Sequence, residues 1–350
     1  MPQTYPRFKA AACHIASVFL DADATVDKGI SFIREASKAG AALVAFPESF
    51  IPGFPVWAAL RPPIENHDFF RSLAMQSIRK DGPEVARLCA AAREYGVYVS
   101  TGISEGTDAS VGCLWNSNLL IGPDGSILNH HRKLVPTFYE KLIWANGDAR
   151  GLRVTATDIG RLGMLICGEN TNPLSRYALM AEGEQVHMST YPPIWPTRPP
   201  SDNTGYDLRK AIEIRAGAHA FEAKVFNIVS SSLADEKLVT AVAREDKSIR
   251  EIIERSPKSV SMILDPTGSV TSEVISGEEG IVYGEIDTAL SVEPKQFHDV
   301  VGYYNRFDIF DVRVDRSPRE PARYIETLLA QPADSKDERA DRSVERGRTQ

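Results

Sequence analysis

Cys167, Glu48 and Lys133 are side chains whose types could combine into covalent chemistry: a thiol, a carboxylate to take its proton, and an ammonium beside the negative charge that follows. Cys167 closes the apolar run LGMLI at 162–166 and is followed by Gly168, Glu169 and Asn170, with helix-like sequence from Pro173. A side chain at the carboxyl end of a strand in an α/β sheet faces the crevice where ligands bind. A turn leading toward a helix also offers free backbone N–H groups to an anion, which favours a thiolate. Glu48 lies in AFPESF, directly after the apolar run at 41–46, so it too faces a strand-end crevice, and Pro47 argues against a continuing inner strand. Lys133 lies in HHRKLVPTFYE, after the strand-like SILNHHR. By type and position alone, an inert buried cysteine, a solvated glutamate and a solvated lysine remain open readings. His130 and His131 offer a Cys–His dyad instead. Being adjacent in a strand they point to opposite faces, so only one could reach a shared site.

The elements that must position these residues alternate between strand and helix. Helical spacing runs over 25–38 with Gly40 as a stop, and again over 68–78, 83–95, 173–181 and 208–223. Strand signals occupy 41–46, 97–103, 114–121, 162–166, 185–190 and 225–230. IGPDGSIL at 121–128 echoes LDPTGSVT at 264–271, each a strand, a Pro/Gly turn and a second strand. The echo is either a chance match of a common turn or the trace of an internal two-layer repeat. Alternation of this kind calls for helices packed on the faces of mixed sheets.

The chain has 350 residues, 43% hydrophobic and 25% charged, which is ordinary for a globular protein with a sizeable core. A net charge of -7 with dispersed basic residues argues against a nucleic-acid partner. No apolar run approaches the roughly 20 residues that cross a bilayer, and the first 18 residues lack the pattern of a signal peptide. Four scattered cysteines make neither a disulfide framework nor a zinc site, so the expectation is a cytoplasmic enzyme with free thiols. One domain is expected over 1–320. The stretch 331–350, nearly devoid of large apolar residues, is expected to be disordered.

AFPES around Glu48, HHRKLVPT around Lys133 and LICGEN around Cys167 resemble, in order and spacing, the three catalytic blocks of the nitrilase superfamily of carbon–nitrogen hydrolases. PGFPVW (52–57), EKLIWANGD (140–148) and NPLSRYALMAEGEQVH (172–187) extend the likeness over most of the chain, and toward the nitrilase branch. The resemblance implies an α/β fold, a four-layer αββα sandwich, with Glu48 as general base, Cys167 as nucleophile and Lys133 beside the developing charge. Glu140 would match a second glutamate that orients Lys133 and the substrate, and the Gly168 N–H would be a further donor. The implied reaction takes an organic nitrile to a carboxylic acid and ammonia with no metal or other cofactor. The alternatives are an amidase, an amide-forming nitrile or cyanide hydratase, or an inactive scaffold. A homodimer or larger spiral homo-oligomer is a further implication. Gly168 stands where nitrilases usually carry tryptophan, so extra room beside the nucleophile is expected. Phe54, Trp57, Thr137, Tyr191 and Trp195 lie in segments near the site and suggest an apolar substrate body.

Overall fold

The computed structural model describes residues 4–197, 201–202 and 205–317. They belong to the unit Met1–Pro318, while the stretch 331–350 lies outside the described residues. The strands are β1 (Arg7–His14), β2 (Ala41–Ala45), β3 (Tyr98–Glu105), β4 (Trp115–Ile121), β5 (Ile127–Arg132), β6 (Thr155–Thr157), β7 (Gly160–Ile166), β8 (Val186–Tyr191), β9 (Phe226–Ser231), β10 (Met262–Leu264) and β11 (Gly280–Asp287). The helices are α1 (Ala22–Lys38), α2 (Trp57–Leu60), α3 (His67–Gln76), α4 (Pro83–Tyr95), α5 (Pro173–Ala181), α6 (Leu208–Ala223), α7 (Glu236–Ala243), α8 (Lys247–Arg255) and α9 (Val292–Phe297).

Two sheets form, in the orders β11-β1-β2-β3-β4-β5 and β10-β9-β8-β7-β6. Their facing sides bury Phe8, Leu43 and Leu120 from one sheet against Met164, Met188, Ile228 and Ile263 from the other. The outer face of the first sheet packs Val44, Val99 and Leu119 against Val26 and Ile33 of α1 and Leu88 of α4. The second sheet is covered by α5 through Leu179 and by α6 through Ile212, Ala216 and Ala220. This is the four-layer αββα arrangement.

Local chemistry sets the helix ends. The Asp21 side chain accepts from the Ala24 N–H at the start of α1. Pro83 opens α4, and Gly96 closes it in the left-handed region at φ 64. The Asn172 side chain caps α5, where Pro173 needs no hydrogen-bond partner for its nitrogen.

The two echoing segments make the same turn. Gly125 and Gly268 sit at φ 79 and 81, each donating its N–H three residues back, to Gly122 and Asp265 respectively. Each turn also follows an equivalent strand: β4 is antiparallel to β3 in the parallel series β1-β2-β3, and β10 is antiparallel to β9 in the parallel series β7-β8-β9. The echo therefore marks a repeated topology, one copy per sheet.

Candidate active site

Glu48, Lys133 and Cys167 each stand just beyond a strand, β2, β5 and β7 respectively, and all three are buried. Glu48 is brought in by backbone pairing of its loop with β3: Phe46 N–H donates to Ser100 C=O, and Gly102 N–H to Pro47 C=O. Gly102 has to be glycine here, because a β-carbon on it would run into the Pro47 carbonyl and the Ser49 nitrogen.

The Lys133 ammonium donates to Glu48 Oε1 at 2.7 Å and to Glu140 Oε2 at 2.6 Å. Asn116, at the second position of β4, donates its side-chain N–H to Glu48 Oε1 at 2.8 Å and accepts the Lys133 backbone N–H at 2.8 Å. It thereby orients both partners of the ion pair. Glu140 Oε2 also accepts the Thr137 N–H at 2.9 Å, a helix-start contact that turns the carboxylate toward the lysine. One side-chain atom from each of Glu48, Glu140 and Cys167 lies within 4.8 Å of the other two. The second oxygens of Glu48 and Glu140 are buried and make no hydrogen bond. Orphaned acceptors of this kind are rare in a folded interior and mark a place where a proton or ligand is received.

The electrostatics follow from burial and charge. Burial alone would lower the Lys133 value, but Glu140 and Glu48 outweigh it and hold the ammonium charged. Burial raises Glu140 to about 7, against the pull of Lys133. Burial and then Glu48 push the Cys167 thiol up, while Lys133 and, more weakly, Arg215 draw it down. At rest the sulfur keeps its proton and needs a base to give it to.

Three of the six non-glycine residues with positive φ among the described residues lie in the same loops. Ser49, Phe138 and Cys167 take φ values of 45, 49 and 49, which side-chain-bearing residues rarely adopt. Cys167 is held there from two sides. Glu169 Oε2 accepts from Ile166 N–H at 2.9 Å, while its Oε1 accepts from Leu134 N–H at 2.6 Å, tying the Cys167 turn to the lysine loop. Asn170 donates to the carbonyls of Leu165 and Cys167 at 3.2 and 3.1 Å. Behind it, His187 bonds both Asn170 and Glu184, and His219 bonds the other oxygen of Glu184.

Neither histidine of the possible dyad is hydrogen-bonded to Cys167. The two side chains point to opposite faces, His130 bonding Glu105 and the fully buried His131 bonding Glu169. A small cavity of about 110 Å³ opens at Cys167, walled by Thr137, Gly168, Trp195, Tyr206, Leu208 and Arg215. Phe54, Trp57 and Tyr191 are buried in the core around it rather than on its wall. Phe54 packs on Trp144 and Trp195, and Trp57 stacks on Phe69. The extra room expected beside Gly168 is not found in the direction a side chain would take, because a β-carbon there would meet Thr137 Oγ1 at 2.6 Å, although Gly168 itself lines the cavity. The neighbour that sets this limit comes from a distant loop and carries no mark beside Gly168 in the sequence.

Among the described residues two groups of side chains are close enough to hold a metal ion, Glu48–Glu140–Cys167 and Glu184–His187–His219. The carboxylates of the first already hold Lys133, and Glu184 already bonds both histidines of the second. Asn116, Glu169, Asn170 and Arg215 are the residues that inspection of sequence misses. Glu169 and Asn170 lie within LICGEN, whereas nothing around Asn116 or Arg215 sets either apart.

The carbon-nitrogen hydrolase family model matches residues 9–296. A cyanide hydratase of Botryotinia fuckeliana is 36% identical over 91% of this chain and 86% of its own length. A bromoxynil-specific nitrilase of Klebsiella pneumoniae subsp. ozaenae is also 36% identical, over 90% of this chain and 87% of its own. In architecture the chain is similar to a carbon-nitrogen hydrolase of Helicobacter pylori G27, with a TM-score of 0.68 at 20% identity, covering 87% of this chain and 96% of the other. With its strand-end cysteine, its buried Glu–Lys–Glu cluster and relatives of this likeness over nine-tenths of its length, the chain belongs to the carbon-nitrogen hydrolase family.

Proposed function

We propose that the protein hydrolyses an organic nitrile to a carboxylic acid and ammonia, with Cys167 as nucleophile and Glu48, Lys133 and Glu140 as the polar machinery. The observation that carries this reading is the buried Glu48–Lys133–Glu140 chain beside the thiol, with one unpartnered oxygen on each carboxylate. Glu48 Oε2 takes the thiol proton as sulfur bonds to the nitrile carbon, and one C–N π bond opens onto nitrogen. Glu48 passes that proton to the nitrogen to give a thioimidate. The fixed ammonium of Lys133 and the Gly168 N–H face the growing negative charge, and preorganised donors in a water-poor site are worth most there. One water adds to the thioimidate carbon and ammonia leaves, giving a thioester. A second water releases the acid, its hydroxyl going to carbon and its proton restoring the thiol.

Amide formation is the second reading, and the cyanide hydratase relative and the narrow cavity support it. The two differ in one bond: after the first water adds, breaking C–N gives acid, and breaking C–S gives amide. Mass spectrometry of products from a panel of small nitriles decides between them. A covalent mass increase on Cys167, trapped by acid quench during turnover and absent in Cys167→Ala, is the expected signature. Full turnover by Cys167→Ala would overturn the mechanism for either product.

The same reading has the enzyme working in the cytoplasm as a homodimer or larger homo-oligomer, built from one domain over 1–320. Four free cysteines fit a reducing compartment. Among the described residues no helix is long and apolar enough to cross a membrane. Exposed Phe138, Leu142, Leu174 and Ile214 are apolar side chains that a second copy could cover, and light scattering measures the assembly.

A further inference from the structure

Arg215 stands on the wall of the Cys167 cavity, and among the described residues no acid is paired with it. Its Nε donates to Thr171 Oγ1 at 2.7 Å, and Nη2 donates to the Tyr206 hydroxyl at 2.6 Å. Both acceptors are neutral, and among the described residues no carboxylate lies within ion-pair distance of it. Its neighbours are matched differently: Arg209, on the same helix, pairs with Glu213, and Arg176 of α5 pairs with Glu222. Thr171 ends the turn Cys167–Thr171, so the guanidinium is anchored to the segment that carries the nucleophile. Trp195 and Leu208 are the apolar part of the cavity wall, beside Thr137 and Tyr206. A guanidinium drawn partly out of water onto such a wall costs free energy that an anion in the cavity would recover. Its planar fork suits a carboxylate better than any other common small anionic group except phosphate.

We infer that Arg215 is a substrate-binding residue that receives a carboxylate, and that the preferred substrates are short aliphatic nitriles carrying a carboxylate at the far end. This rests on the nitrile-hydrolysing reading above. The cavity of about 110 Å³ sets the length, being well below the roughly 300–1,000 Å³ of sites for drug-sized ligands. Trp195 and Leu208 then cover the few methylenes between the nitrile at Cys167 and the carboxylate at Arg215.

The test compares 3-cyanopropanoate with butyronitrile, which match in chain length and differ in charge. In the full-length enzyme kcat/KM should favour the cyano-carboxylate by at least about 10-fold. Arg215→Gln should collapse that ratio at least 10-fold, mainly through KM, and Arg215→Lys should restore part of it. An equal loss on both substrates would overturn the proposal, because Arg215 would then act through the Cys167 thiolate, and so would a wild-type preference for butyronitrile. Binding is measured separately by calorimetry in Cys167→Ala, with and without Arg215→Gln. Carboxylate binding that depends on Arg215, with no nitrile turned over by the unmodified enzyme, supports the anion site and overturns the hydrolytic reading. Carboxylate binding indifferent to Arg215 overturns the anion site while the hydrolytic reading stands.

Discussion

Thr137 fills the space beside Gly168 at Cys167: a β-carbon added to Gly168 would lie 2.6 Å from the Thr137 hydroxyl oxygen. The loop that carries the threonine is held in turn, since the Thr137 backbone N–H is bonded to Glu140. The absence of a side chain after Cys167 therefore reflects a filled space. Gly168→Ala should lower kcat/KM at least 10-fold, and Gly168→Trp should lower it further and destabilise the fold. Thr137→Ala removes the offending oxygen while keeping the backbone donor, so Thr137→Ala/Gly168→Ala should recover much of the loss. A double-mutant cycle in kcat/KM and thermal midpoint checks it, and additive losses would count against the contact.

Asn116 holds the Glu48 carboxylate and the Lys133 backbone with one side chain and one carbonyl. Asn116→Ala removes only the first. A hydrogen bond to a charged group is worth about 1.5–3 kcal/mol. If that orientation is needed at the transition state, kcat should fall about 10- to 100-fold with KM little changed. Steady-state kinetics on a good substrate reads this directly, and an unchanged kcat would show that Glu48 is held well enough by Lys133.

The pH profile should carry the mark of Glu140. Burial raises it to about 7, and its ionised form holds Lys133. Activity should rise with pH through a limb near 7 as Glu140 loses its proton. Glu140→Gln should show low activity without that limb, and the same limb persisting in the variant would assign it to another group.

Stability should fall on mild acidification. Burial pushes His14 down to about 4, and burial with His187 does the same to His219. In the unfolded chain both titrate near 6.5, so the unfolded state binds protons first as pH falls. The stabilisation from their neutral forms is whole above about 6.5 and lost on the way down through about 4. Each histidine contributes a slope of up to about 1.4 kcal/mol per pH unit. Urea denaturation from pH 7 to pH 4 measures the slope, and His14→Gln should flatten it. A flat stability over that range in the unmodified protein would contradict the burial argument.

Helix limits at 83–95, 173–181 and 208–223 are legible in sequence because proline, capping residues and apolar spacing agree there. β1 is not, since RFKAAACH has three central alanines whose burial between layers leaves little pattern to read. β11 is an edge strand with mixed exposure, and β6 has only three residues. Within the site, Glu48, Lys133 and Cys167 are legible because motifs surround them. Asn116 and Arg215 take their meaning from partners 68 and 44 residues away, which local inspection cannot supply.

Glu48 and Lys133 hang from one sheet and Cys167 from the other, so these three side chains meet only while the layers are seated against each other. Catalysis is thus a gauge of interlayer registry, and a loosened sandwich would fall silent with both sheets still hydrogen-bonded. On slow heating the enzyme would lose turnover while its far-ultraviolet signal still looked native.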